Sequence, residues 1–200
     1  MAETFITADS KKIHYWDRTI GANTVLDEFT LPGEYPLASY SIVTSNVAIS
    51  TANAHCLQIM AGSSLNVRIR SIHIEQAANT TGVSVQNIEI RRLTTAGTGG
   101  TAITPEKFNT ADAASGATAM TLPTVKGTET GVLVSTVLIC RQALLATATQ
   151  PDDDFVWRQN PNGAPIVIPA GTANGIAIKV LNGVTSATAA INVEIVETSF

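Results

Sequence analysis

The chain has 200 residues, enough for one all-β domain, and at 44% hydrophobic and 14% charged it has the composition of a chain that folds. Its net charge of −4 excludes the basic footprint that phosphate binding needs, so no nucleic-acid partner is expected. No window approaches the ~18 apolar residues of a membrane span, and Met1–Ile6 has no basic segment before an apolar one, so no membrane partner and no secretory leader are expected.

Ala, Thr, Val and Ile are abundant while Leu, Glu and Lys are sparse, a balance that favours strands over helices. Residues 1–36 differ from the rest. Lys11, Lys12, His14, Tyr15, Trp16, Asp17 and Arg18 crowd together, and Leu31-Pro-Gly-Glu-Tyr-Pro36 forbids helix and favours an extended path. This stretch reads as an extended N-terminal arm, laid over its own core or packed on a neighbouring subunit. Tyr15, Trp16, Phe29 and Tyr35 are its candidate assembly anchors. Residues 37–200 read as a single β-sandwich domain.

Within that domain, Leu37–Ile49 and His55–Met60 are strand candidates. The turn Ala61-Gly-Ser-Ser64 then leads directly into Leu65, so the strands on either side of it are expected to be neighbours. Leu65–Gln76 and Val83–Leu93 flank Thr80-Thr81-Gly82 and predict a hairpin with Gly at the left-handed position. In that register Ile74 faces Ile88, Ile72 faces Ile90 and His73 faces Glu89. The apolar residues change parity in both runs, near Ser71 and near Arg91, which predicts a bulge or bend, or else burial on both sides without one.

Thr94–Thr124 is long and rich in small residues. Ala111–Thr118 has no side chains with which to pack itself, so it is expected to be mobile or held by another chain. Val132–Cys140 is almost continuously apolar, a strand buried on both faces or a short helix. Gln142–Gln150 is compatible with a helical turn, and Phe155–Trp157 with a short strand. Pro165–Gly171, Gly175–Leu181 and Ile191–Glu197 read as strands separated by Pro-Ala-Gly and Asn-Gly turns, the last alternating apolar and polar. The expected class is all-β: a two-sheet sandwich of jelly-roll type, with two sheets of four strands.

No catalytic constellation emerges, and the chain is read as non-enzymatic, with no cofactor and no metal. His14, His55 and His73 lie outside ligand spacing of one another. Asp152-Asp-Asp154 lacks the rest of a calcium loop, and no Gly-x-Ser-x-Gly elbow occurs. Gly97-Thr-Gly-Gly100 lacks the Lys and helix of a phosphate loop. Cys56 and Cys140 each sit in an apolar run, as buried thiols or as one inter-strand disulfide. Arg68, Arg70, Arg91 and Arg92 fall together in the hairpin, either as a solvated face beside Glu75 and Glu89 or as a contact for an acidic partner.

The runs SLNVRIRSIHIEQ and VSVQNIEIRRLTTAGTGGTAITPEKF, within residues 64–108, and APIVIPAGTANGIAIKV, within 164–180, resemble jelly-roll virion structural proteins of tailed bacteriophages, of the capsid decoration or cement type. The resemblance covers about half the chain and leaves out its N-terminal third. It implies a virion location after assembly in a host cytoplasm, a homo-oligomer with trimer as first expectation, and a major capsid protein or other virion protein as partner. A tail-tip or fibre module recognising a cell-surface glycan is the alternative.

Overall fold

The structure, a computed structural model, describes residues 3–8, 11–20, 23–28, 37–78, 84–133, 140–144, 154–160, 165–183 and 187–199. The chain divides into two compact units, Met1–Pro36 and Leu37–Phe200.

In the first unit, β1 (Glu3–Ala8), β2 (Lys11–Ile20) and β3 (Asn23–Glu28) form an antiparallel sheet in the order β1-β2-β3. Over these residues the expected arm takes the form of a small three-stranded sheet. An extended run rich in Thr, Ile and Val satisfies its backbone groups by pairing with itself. Tyr15 stands opposite Thr4 and Glu28, and Trp16 opposite Glu3 and Asp27. Phe29, Tyr35 and the Leu31–Pro36 turn lie outside the described residues.

The second unit contains β4 (Ser39–Ala48), β5 (His55–Met60), β6 (Asn66–Ala78), β7 (Ser84–Leu93), β8 (Thr101–Ile103), β9 (Glu106–Lys107), β10 (Thr118–Thr121), β11 (Glu129–Leu133), β12 (Cys140–Leu144), β13 (Asp154–Arg158), β14 (Ile166–Ile168), β15 (Gly175–Val180) and β16 (Thr188–Thr198). The described residues contain no helix. Gln142–Leu144, expected to begin a helical turn, belongs to β12, and most of the Val132–Cys140 run lies outside the described residues.

Sheet I has the order β13-β6-β16-β4-β9, with β14 also paired to β6. Sheet II has the order β11-β7-β15-β5-β10-β8, with β12 also paired to β7. Pairing within both is antiparallel. The expected four strands per sheet become six and seven, because short extra strands extend the edges. Ile and Val from β4, β6, β14 and β16 meet Leu57, Ile59, Ile88, Ile90, Ile176, Ile178 and Val180 of sheet II in one buried cluster, the core of a β-sandwich.

The hairpin expectation is overturned. β6 pairs with β13, β14 and β16, whereas β7 pairs with β11, β12 and β15, so the two strands lie in opposite sheets. Ile72, Ile74, Ile88 and Ile90 are all buried in one cluster, but they meet across the sandwich and not across a ladder. The expected turn at residues 80–82 lies outside the described residues. The turn Gly62–Leu65 likewise carries the chain from sheet II to sheet I, so β5 and β6 are not neighbours. Apolar alternation reports only that a face is buried. It does not distinguish pairing within a sheet from packing between sheets.

The parity change has two separate causes. In β6 it is a bulge: Ile69 pairs with Ile195 and Ser71 with Glu194, leaving Arg70 as the extra residue. β7 keeps a regular register with β15 from Ile88 to Leu93. Leu93 leaves the sandwich core and joins Met60 and Ala177 in a second buried group. β4 carries its own irregularity against β16 at Ser45–Asn46, with Asn46 at φ 53°. There Thr44 Oγ1 accepts from the Ile191 N–H at 3.2 Å.

Candidate functional site

Sheet II is buried on both sides around β5, all six residues of which are inaccessible. Leu57 and Ile59 enter the sandwich core, while Met60 joins the second group. The segments 94–100 and 122–129 lie over this region. Thr98 and Val125 bridge each other through N–H···O bonds of 2.9 and 3.1 Å, and the Thr94 N–H donates to the Thr128 carbonyl at 2.9 Å. Two glycines permit this closeness. A Cβ at Gly97 would lie 2.7 Å from the Val125 carbonyl oxygen, and one at Gly127 would lie 2.3 Å from that of Thr95. The Gly/Thr loop is thus a packing element.

Beneath these segments lies a polar cluster that fixes its own protonation state. The Gly97 N–H can only donate, and it donates to Gln58 Oε1 at 2.8 Å. That turns Gln58 Nε2 towards His55 Nδ1, 2.5 Å away, so Nδ1 must present its lone pair. His55 Nε2–H then donates to Glu129 Oε1 at 2.8 Å. Burial pushes the His55 pKa down and outweighs the opposing pull of Glu129, so it too favours the neutral form. The Glu129 carboxylate also takes Lys179 Nζ at 3.0 Å. Burial alone would raise its pKa, but the bonds from His55 and Lys179 outweigh that and the net direction is down. Arg91 Nε donates to Glu89 at 2.7 Å and lies 4.0 Å from Glu129.

Both ring nitrogens of His55 are therefore engaged internally, and neither is presented to a substrate or metal. Among the described residues no group of three His, Cys, Asp or Glu is placed to hold a metal ion. Cys56 is a free, buried thiol whose pKa burial pushes up to about 12, which makes it an inert part of the core.

A second construction overturns the expectation for Ala111–Thr118. Glu197, 6% exposed near the end of β16, accepts the Ser115 hydroxyl at 2.8 Å, the Gly116 N–H at 3.1 Å and the Ala117 N–H at 2.8 Å. Tyr40 Oη donates to the Ala113 carbonyl at 3.1 Å, and Asn109 Oδ1 accepts the Ala111 N–H at 3.1 Å. The loop is ordered from within its own chain, by a carboxylate about eighty residues away in sequence. Sequence reading placed Glu197 on the polar, outward side of its strand. The run of four buried residues ending β16 breaks that alternation.

The four arginines do not form one patch. Arg68 and Arg70 lie on β6 in sheet I, and Arg91 and Arg92 on β7 in sheet II. Arg91 belongs to the polar cluster just described. Arg92 Nη1 donates to the Val167 carbonyl of β14, tying sheet II to sheet I, and burial lowers its pKa. Glu89 pairs with Lys179 across the ladder, and His73 with Val156 and Asn192, so the expected His73–Glu89 pair does not form. Arg70 is exposed and lines a shallow depression of about 570 Å³ with Ser71, Arg158, Gln159 and Glu194. No family model, curated protein or solved structure matches this chain.

Proposed function

We propose that the chain is a non-enzymatic virion structural protein, a capsid decoration or cement protein that binds the capsid surface as a homo-oligomer, and that its larger unit is a jelly roll. The observation that carries this reading is the strand order. Take β4, β5, β6, β7, the β11/β12 edge, the β13/β14 edge, β15 and β16 as eight successive positions. Sheet I then runs first, eighth, third, sixth, and sheet II second, seventh, fourth, fifth. That interleaving is what two nested Greek keys produce, and jelly rolls of this kind build viral capsid domains as well as lectins and cupins.

Fold alone does not choose among those uses. Two further features favour a structural role. The space between the sheets is filled by Ile, Val and Leu side chains, so what the unit offers a partner is its outer surface. That surface carries exposed Val43 and Val156, at 59% and 45%, on the outer side of sheet I. The virion assignment itself rests on the family resemblance of residues 64–108 and 164–180. A glycan-binding tail or fibre module is the second reading, supported by the polar depression around Arg70 and Arg158.

The test is localisation. Gold-labelled antibody against the chain should decorate the capsid shell of virus particles from the source culture. Tail labelling with hits on a glycan array would replace this reading by the second, and particles without label would end both. Oligomerisation is tested by light scattering on a sizing column, where a trimeric mass is expected. A monomer at micromolar concentration would refute that part. If residues 1–36 act as assembly anchors through Tyr15, Trp16, Phe29 and Tyr35, removing them should loosen the oligomer while the β-rich circular dichroism persists.

A further inference from the structure

We propose that the depression beside the β6 bulge is a docking site for a carboxylate side chain of a protein partner, held between Arg70 and Arg158. The proposal rests on the reading above that the chain acts by binding another protein, and it names the chemistry of the contact.

Three features of the fold build the site. First, the bulge places two successive residues off the core. Ile69 and Ile72 are fully buried, while Arg70 between them is exposed and Ser71 half-buried. Bulges re-aim side chains in this way. Second, sheet I changes edge partner at this point. β13 ends with Arg158 opposite Ser71, and β14 begins opposite Ile69. Between them the backbone is held by the Gln159 N–H, which donates to the Arg70 carbonyl at 2.8 Å. Third, Glu194 of β16 stands opposite Ser71 on the far side of β6.

The charges in this opening are not spent on one another. Among the described residues neither Arg70, Arg158 nor Glu194 takes part in an ion pair. β13 and β16 flank β6, so the backbones of Arg158 and Glu194 are about two strand spacings apart, roughly 9–10 Å. Two guanidinium groups against one carboxylate leave one net positive charge, which suits a single carboxylate better than a dianionic phosphate. A guanidinium fork matches a carboxylate in bidentate fashion, and the Ser71 hydroxyl and Gln159 amide add donors. Glu194 is left as an acceptor, the complement of a backbone N–H.

A peptide supplies both groups, and the neighbouring residues favour one over an acidic sugar. The next cross-strand row runs Val156–His73–Asn192–Val43. Its two ends are the exposed valines, which offer apolar contact to alternate side chains of a bound segment.

The probe is a capped peptide of alternating Asp and Val, titrated into the isotope-labelled full chain and followed by amide chemical shifts. Perturbations are expected at residues 69–73, 156–159 and 193–195. In Arg70→Gln/Arg158→Gln the affinity should fall at least about tenfold, as the loss of charge-assisted bonds implies. Lys107→Glu alters the net charge by as much as that pair of changes, on an exposed residue at the opposite edge of sheet I, and should leave binding unchanged. Equal weakening by Lys107→Glu, or shifts spread over the surface, would overturn the site. So would glucuronate perturbing these amides while the peptide does not, an outcome that assigns the depression to acidic sugars. A chain that decorates capsids without binding the peptide refutes this site alone, and one that binds the peptide but labels no particle refutes both virion readings and leaves the site standing.

Discussion

The outer sides of the two sheets make different use of the same architecture. Outside sheet II, two covering segments bury His55 and Gln58 to 1% and 2% exposure, and every hydrogen-bonding atom of His55 and Gln58 that faces the cluster is matched. Outside sheet I, Val43 and Val156 are open to solvent and the arginines of the depression have no ionic partner among the described residues. Polarity therefore does not mark the outside of this sandwich. Coverage by loops decides whether an outward residue of a sheet is structural or available, and Val43, Val156 and Arg70 of sheet I are available.

The largest expected effect checks that the two sheets differ only on their outer sides. Ile72 of sheet I and Ile88 of sheet II are 0% and 2% exposed within one core cluster. Replacing either by Ala should cost about 2–5 kcal/mol in a denaturant titration. A loss below about 0.5 kcal/mol at one of them only would show that its sheet does not share the core.

The next effect separates the outer sides directly. Gln58→Leu keeps the volume but orphans the Gly97 N–H and His55 Nδ1, for a cost of about 2–6 kcal/mol at roughly 1–3 kcal/mol per buried unmatched group. A near-neutral result would mean that the covering segments lift away and let water reach both groups.

Acid should act through the same cluster. The folded pKa of His55 lies below its ordinary 6.5, so the unfolded chain binds more protons in that window. His55's contribution is thus complete above about pH 6.5 and is lost as pH falls through the folded pKa. Structurally, a proton on Nδ1 would set two donors, Nδ1–H and Gln58 Nε2, against each other. Glu129, held below 4.5, adds a loss in the same direction at lower pH. His55→Gln should be less stable at neutral pH and show a shallower decline between about pH 7 and about pH 5.5. Parallel declines in the two proteins would show that other groups carry the acid sensitivity.

The extent to which this could be read from the sequence follows from the range of each interaction. Strand positions were legible because alternation is local: His55–Met60 matches β5, and Phe155–Trp157 lies within β13. The members of the core were legible too, since burial is written into residue type. Strand partners were not, because Leu65–Gln76 and Val83–Leu93 carry the same apolar rhythm whether they pair or face each other across a sandwich. The candidate site was the least legible part. Glu197 reaches Ala117 and Gln58 reaches Gly97 through contacts that no spacing rule encodes, and both looked like ordinary polar strand residues.

The smallest effect is expected on the open side, and its smallness is the point. Val43 is flanked by fully buried Ile42 and by Thr44, whose hydroxyl is committed to the β4 irregularity, yet Val43 itself is 59% exposed. Val43→Thr removes apolar surface that water already reaches, so the isolated chain should change by no more than about 0.5 kcal/mol. The same substitution at Val193 of the neighbouring β16, 0% exposed in the core, would cost several times as much, although both residues alternate in the same rhythm. A cost above about 1 kcal/mol would show that the outer side of sheet I is covered within the isolated chain, and the contrast between the two sides would disappear. If the cost is negligible, Val43→Asp becomes the informative change. It should leave the unfolding midpoint in place while weakening association with particles or with the acidic peptide, because only a surface idle in the isolated protein can be altered without being felt until a partner arrives.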